Sequence, residues 1–190
     1  MTTLAPIHTA KLTADQYFQL GEDPPGVRLE LIDGEIVVSP SPSPTHAKVV
    51  QRLFYLLETH NRAHKLGDFY LDTDVVFEPF YARRPDIAFY GKAKLRKMTG
   101  DRLTLPPDLC IEVISPSNPD DDRINNFDMY QKHGVGHYWI IDPDARTAEC
   151  LKLRGGKYVK VREGAEFEKV HFPPFADLKM PLAELWLGQA

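Results

Sequence analysis

The reading of this chain turns on two stretches: residues 83–90, RRPDIAFY, and residues 108–118, DLCIEVISPSN. Both have the apolar, β-branched composition of buried strands, yet each holds one acid, Asp86 in the first and Glu112 in the second. A carboxylate in an apolar setting costs several kcal/mol unless a cation or hydrogen-bond donors hold it. Two acids on neighbouring strands, converging at one end of a sheet, supply what a hard divalent cation takes. Mg²⁺ uses one or two carboxylates, and water and phosphate oxygens complete its shell. Such an ion polarises a phosphoryl oxygen and acidifies a bound water. So short a motif also fits two acids bonded to local backbone N–H groups, and taken alone that plainer reading is favoured.

Working outward, residues 69–78, FYLDTDVVFE, read as a strand just before RRPDIAFY. The apolar continuity of residues 108–115 predicts a central strand covered on both faces. Residues 122–133 predict a helix closed by Gly134, and HYWIIDP (137–143) returns as a strand. Upstream, Thr45 opens a predicted long helix to about Lys65, with Val49, Leu53, Leu56 and Leu57 as its buried stripe. The middle of the chain is therefore helix, strand, strand, strand, helix, strand, an α/β domain on a mixed sheet. The second helix makes a crossover expected to be right-handed. Thr13 and Gln16 form a capping box for a short helix, and RLELIDGEIVVS (28–39) alternates about Asp33-Gly34 as a hairpin. SPSPSP (39–44) is a stiff extended spacer. A second hairpin turns at Gly155-Gly156, and the Pro-rich tail 172–186 should end in a short helix covering the core. Both hairpins are expected to extend the sheet. One domain spans 1–190, with its core at about 45–143, the N-terminal helix and hairpin at 13–38, and the C-terminal hairpin and tail at 147–190.

The 190 residues suffice for one core, and 43% hydrophobic with 26% charged residues describes an ordinary globular chain. No apolar run reaches membrane-spanning length, and the first residues lack a signal-peptide pattern, so a cytoplasmic protein is expected. Cys110 and Cys150 fit buried small residues better than a disulfide or zinc site. A net charge of −4 argues against nonspecific coating of nucleic acid. A basic block nevertheless lies between the two acids, with Lys92, Lys94, Arg96 and Lys97 at its centre. Charge alone favours a solvated connection there, whereas phosphate binding is the reading that suits a metal site nearby.

The combination of RLELIDGEIVVSPSPSPTH (28–46), RRPDIAFY, LCIEVISPSNPDDD (109–122) and YQKHGVGHYWIIDP (130–143) resembles the Uma-two family. These are endonuclease relatives within the restriction-endonuclease-like, PD-(D/E)XK superfamily. The resemblance runs from about Arg28 to about Pro143, and the superfamily core has the element order read above. It implies that Asp86 and Glu112 are the metal-binding acids of a nuclease using Mg²⁺ or Mn²⁺ on nucleic acid, expected to be DNA. Glu30 matches a glutamate that would give a further metal or water contact, and His46 a histidine that opens the long helix. Ser115 and Ser117 match a loop that reaches substrate, and Asp122 an acid at the start of the second helix. A homodimer would suit the cutting of two strands.

Two departures stand against full activity. The superfamily lysine two residues after the metal-binding acid is replaced by Ile114. The substitute lysine that the family carries one turn after the position of Asp122 is replaced by Asn126. An asparagine can orient water or touch a phosphate oxygen, but it brings no charge. Lys132 is six residues further on, at about 100° per residue, and points elsewhere. The chain thus reads as a metal-dependent nuclease, weakened at Asn126. The competing readings are a non-catalytic binding or scaffold protein on the same fold, and a metal hydrolase with another substrate.

Overall fold

The computed structural model describes residues 11–115, 124–175 and 177–186. Thr13 and Gln16 close the expected capping box ahead of α1 (Ala14–Phe18). β1 (Val27–Ile32) and β2 (Glu35–Pro40) form the expected hairpin. Asp33 and Gly34 take the positive φ values, 51° and 78°, that a type I′ turn requires. The long helix α2 (Pro44–His64) begins earlier than Thr45. Its cap is Ser43, whose hydroxyl oxygen accepts from the His46 N–H at 3.2 Å. Pro44 suits the first helical position because its φ is already helical and it has no N–H to leave unpaired. The buried stripe of α2 holds Val49, Leu53 and Leu57 as expected. It continues through His46 and Asn61, while Leu56 is only half buried.

FYLDTDVVFE is two strands in two sheets. The chain turns at Asp72, with φ of 44°, so that β3 (Gly67–Leu71) and β4 (Val75–Glu78) separate. RRPDIAFY divides in the same way. β5 (Tyr81–Arg83) pairs with β4 and β1, and β6 (Ile87–Gly91) pairs with β3. Proline cannot donate to a ladder, so Pro85 is a natural place for the chain to leave one sheet and enter the next. A short helix, α3 (Lys92–Leu95), then precedes β7 (Leu109–Val113). α4 (Asn126–Lys132) follows an irregular turn at 124–125 and ends ahead of Gly134, whose φ is 77°. The chain continues as β8 (His137–Asp142), β9 (Thr147–Arg154) and β10 (Lys157–Ala165).

The larger sheet has the order β10-β9-β8-β7-β6-β3, with β7 and β8 parallel across α4 and the remaining pairs antiparallel. Along the chain, β4 and β5 of the smaller sheet stand between β3 and β6, and α3 stands between β6 and β7, so the strands of this sheet are not consecutive. The C-terminal hairpin extends this sheet as expected. The N-terminal hairpin does not; it forms a separate sheet of order β2-β1-β5-β4. β7 is central, and all five of its residues are buried. Period-two alternation sends Leu109, Ile111 and Val113 toward α2, and Cys110 and Ile114 toward α4. The tail packs Phe172, Phe175, Leu182 and Trp186 against the α2 side, and its expected helix is one 3₁₀ turn, Leu182–Glu184. Both cysteines are free and buried, and burial pushes the Cys150 thiol up to about 12. No helix among the described residues is long and apolar enough to cross a membrane.

Gly67 stands opposite Gly91 in the β3–β6 pair, where an added Cβ would overlap the Tyr90 carbonyl oxygen. Backbone must then shift inside the main sheet. Gly67→Ala is expected to cost about 1–3 kcal/mol, as overpacking does. The check is a lower urea midpoint at an unchanged denaturant slope.

Candidate active site

The register of the main sheet decides where the two acids meet. Ile87 pairs with Ile111 in the antiparallel β6–β7 ladder, so Asp86 lies opposite Glu112 on the same face. That face carries α4, which delivers Asn126 and Tyr130 together because residues four apart share a helix face. The smaller sheet comes in from the other side. β1 contributes Arg28 and Glu30, two residues apart on one face of a strand, and β5 ends at Arg83. Together with Ser39, Pro40, Ser41 and Pro42 of the spacer, and with His46, Arg84, Val113 and Ser115, these residues line a cavity of about 90 Å³.

Each buried acid is held by named donors. Asp86 Oδ2 lies 3.0 Å from His46 Nε2 and accepts from the Val113 N–H at 2.8 Å. The Asp86 N–H donates to Glu112 Oε2 at 3.1 Å. Glu112 Oε1 accepts from the Tyr130 hydroxyl at 2.6 Å and from Asn126 Nδ2 at 3.4 Å. Glu30 Oε1 accepts from the Arg84 N–H at 2.7 Å and lies 3.3 Å from Arg83 Nε. Asn126 Oδ1 accepts from Arg83 Nη2 at 2.5 Å. Arg84 turns its guanidinium outward to Asp23 and Asp74, at 2.6 and 2.9 Å.

Burial and charge act in opposite directions on these groups. Desolvation alone would lower the Arg28 pKa, but Glu30, Asp86, Glu112 and Asp72 outweigh it and hold it above the ordinary value. Tyr130 is pushed well up, first by burial and then by Glu112, so its hydroxyl stays a donor. Arg28 Nη1 faces Asp86 Oδ1 at 3.6 Å, beyond hydrogen-bond length, and Arg28 Nε has no hydrogen-bond partner among the described residues. The site therefore offers guanidinium donors to an incoming anion.

The acids also fit a hard cation. Asp86 Oδ1 accepts no hydrogen bond among the described residues, and Glu112 lies on the same cavity wall. His, Cys, Asp and Glu side chains do not gather in threes into a metal cage among the described residues. An ion held by two carboxylates, with solvent and phosphate oxygens filling the rest, matches that arrangement.

The structure brings Asp86, Glu112, Glu30, His46, Asn126 and Ser115 to one cavity. His46 is buried, at 7% exposure. Glu30 reaches the cavity but is engaged by Arg83 and the Arg84 backbone, and it forms no three-ligand group with Asp86 and Glu112. The basic block is not brought to the cavity. Lys92, Lys94, Arg96 and Lys97 follow the opposite end of β6 from Asp86, a five-residue strand about 17 Å long at ~3.4 Å per residue. Lys94 is tied to Asp108 at 3.0 Å and to the Pro106 carbonyl at 2.5 Å. Ser117 and Asp122 lie outside the described residues. Sequence reasoning missed Arg28, Arg83 and Tyr130 as site residues. The signals were present: Arg28 shares a strand face with Glu30, Arg83 stands three residues before Asp86, and Tyr130 four after Asn126.

The site thus sits in an α/β fold whose mixed sheet places two acids on adjacent strands beneath a crossover helix. A family model described as Uma2, "Putative restriction endonuclease", matches residues 14–183, and the chain belongs to that family. The fold is similar to the crystal structure of "a putative nuclease belonging to DUF820 from Anabaena variabilis", with a TM-score of 0.75 and 22% identity over 92% of this chain and 97% of that one. No curated protein matches the chain.

Tyr130→Phe removes one charge-assisted hydrogen bond from the buried Glu112 carboxylate and keeps the ring. A loss of about 1.5–3 kcal/mol is expected, measured by chemical denaturation at neutral pH. A loss near zero would mean that Glu112 does not depend on that hydroxyl.

Proposed function

We propose that the chain is a metal-dependent nuclease that hydrolyses phosphodiester bonds of DNA. The observation that carries this reading is the pairing of Asp86 with Glu112 across β6 and β7, inside a cavity that also holds Arg28 and Arg83. Acids and guanidinium groups side by side suit a substrate that is itself an anion and is reached through a cation. Membership of a family described as restriction endonucleases supports nucleic acid as that anion. Mg²⁺ or Mn²⁺ held by Asp86 and Glu112 would supply a polarised phosphoryl oxygen and an acidified water.

The chain's own residues would do the rest. Arg28 would bind a nonbridging phosphate oxygen through the guanidinium edge facing the cavity. His46 and the Val113 N–H fix the Asp86 carboxylate, and Tyr130 fixes Glu112, so neither acid reorients when substrate enters. Glu30 holds Arg83 in place. Ser115, on the cavity wall beyond β7, can approach the phosphate backbone. Lys92, Arg96 and Lys97 could touch only DNA that continues well past the cavity. A non-catalytic binding protein is the second reading, and Asn126 is the residue that favours it.

Two measurements separate them. Mn²⁺ should raise the melting temperature of the wild type, with about 2.7 kcal/mol of stabilisation when the ion stands at 100 times its Kd, and should leave Asp86→Ala unchanged. The wild type should cut plasmid or single-stranded DNA with Mg²⁺ or Mn²⁺, while Glu112→Ala should not. Metal binding without cleavage of any DNA or RNA would give the binding-protein reading, and equal melting curves with and without Mn²⁺ would remove the metal site.

A further inference from the structure

Among the described residues no lysine lines the cavity, and Asn126, in the place of the expected one, touches a buried cation. Asn126 presents its amide oxygen to Arg83 Nη2 and its amide nitrogen to Glu112 Oε1. An amide has one acceptor end and one donor end, so this orientation satisfies a guanidinium on one side and a carboxylate on the other. A lysine ammonium at 126 could not do this, because it would set a second positive charge against Arg83. Arg83 arrives from a different sheet, at the end of β5, and is fixed by Glu30 at 3.3 Å. It is 4% exposed and lines the cavity that holds Asp86 and Glu112. Arg28 stands on the Asp86 side, and Arg84 is directed to Asp23 and Asp74. Through Asn126, Arg83 is linked to Glu112.

We infer that Arg83, with Asn126 as its neutral bridge to Glu112, supplies the positive charge on the reacting phosphate that a lysine supplies in related nucleases. This rests on the nuclease reading above. The charge moves from the crossover helix to the strand before the Pro-Asp turn, and Asn126 is then a fitted part of the site. The guanidinium remains protonated throughout, so it stabilises the charge that develops on phosphate and cannot act as a base.

The test is cleavage kinetics of a supercoiled plasmid with Mn²⁺ for wild type, Glu112→Ala, Arg83→Lys, Arg83→Gln, Asn126→Lys and the double variant Arg83→Gln/Asn126→Lys. Loss of one preorganised donor typically lowers kcat by about 10²–10³-fold. Arg83→Gln should show that loss in kcat, with a smaller change in KM, and Arg83→Lys should recover at least tenfold of it. Asn126→Lys alone should be slower than wild type. The double variant should be faster than Arg83→Gln, because a lysine at 126 then replaces the missing charge without facing another. Because Arg83→Gln leaves Glu30 a buried, unpaired acid, Glu30→Gln/Arg83→Gln supplies a neutral pair if the single variant does not fold. The same kcat loss is expected of it. Wild-type kcat in these Arg83→Gln variants, or a double variant no faster than Arg83→Gln, overturns the assignment while the nuclease reading stands. An Asn126→Lys chain faster than wild type also overturns it. A wild type that cuts nothing overturns both.

Discussion

Asp86 and Glu112 are joined through the backbone, each carboxylate accepting an N–H from the other's strand, and the meeting of the two sheets depends on that exchange. The chain leaves the smaller sheet after Arg83, passes Pro85 and enters the larger one at Ile87. At such a crossing, backbone groups lose their ladder partners and must find others, since buried N–H groups are rarely left alone. The Asp86 N–H finds Glu112 Oε2, and the Val113 N–H finds Asp86 Oδ2. The acids therefore replace ladder bonds at the point where β6 begins. Their burial is tolerable because each accepts from donors already fixed by the sheet.

This accounts for what could be read from the chain. Hydrophobic period and turn chemistry are local, so the hairpin at Asp33-Gly34, the capping box at Thr13, the central β7 and the C-terminal hairpin at Gly155-Gly156 were all legible. What was not legible is where one continuous apolar run is cut between two sheets. FYLDTDVVFE is rich in strand-forming aromatic and β-branched residues on both sides of Asp72, and RRPDIAFY after Pro85, and their breaks rest on a positive φ at Asp72 and one missing donor at Pro85. The cut matters for the site. Reading RRPDIAFY as one strand sends Arg83 and Asp86 to opposite faces of one sheet. Splitting it lets both reach one cavity.

The basic block is a different case. Five cations, Lys92, Lys94, Arg96, Lys97 and Arg102, lie between the two acids in sequence, but strand length decides distance, and β6 carries Lys92, Lys94, Arg96 and Lys97 away from Asp86. The arginines that line the cavity come from two places in the chain, Arg28 of β1 and the adjacent Arg83 and Arg84, each beside an acid. Net charge over the whole chain, −4, carries no information about that local balance.

Glu30, Asp86 and Glu112 share the cavity with the inward-facing Arg28 and Arg83, and buried ion pairs of this kind add little net stability over an apolar core. Their worth is geometric. Asp86 alone is reached by Arg28 from the smaller sheet, by His46 from the start of α2 and by the Val113 N–H from the larger sheet. Glu112 is reached by Tyr130 and Asn126 from α4, and through Asn126 by Arg83 of β5. Donors from β1, α2, α4 and the larger sheet thus end on one of two carboxylates. Removing either acid would strand donors from several elements at once, so the two carboxylates tie the smaller sheet and both helices around the cavity.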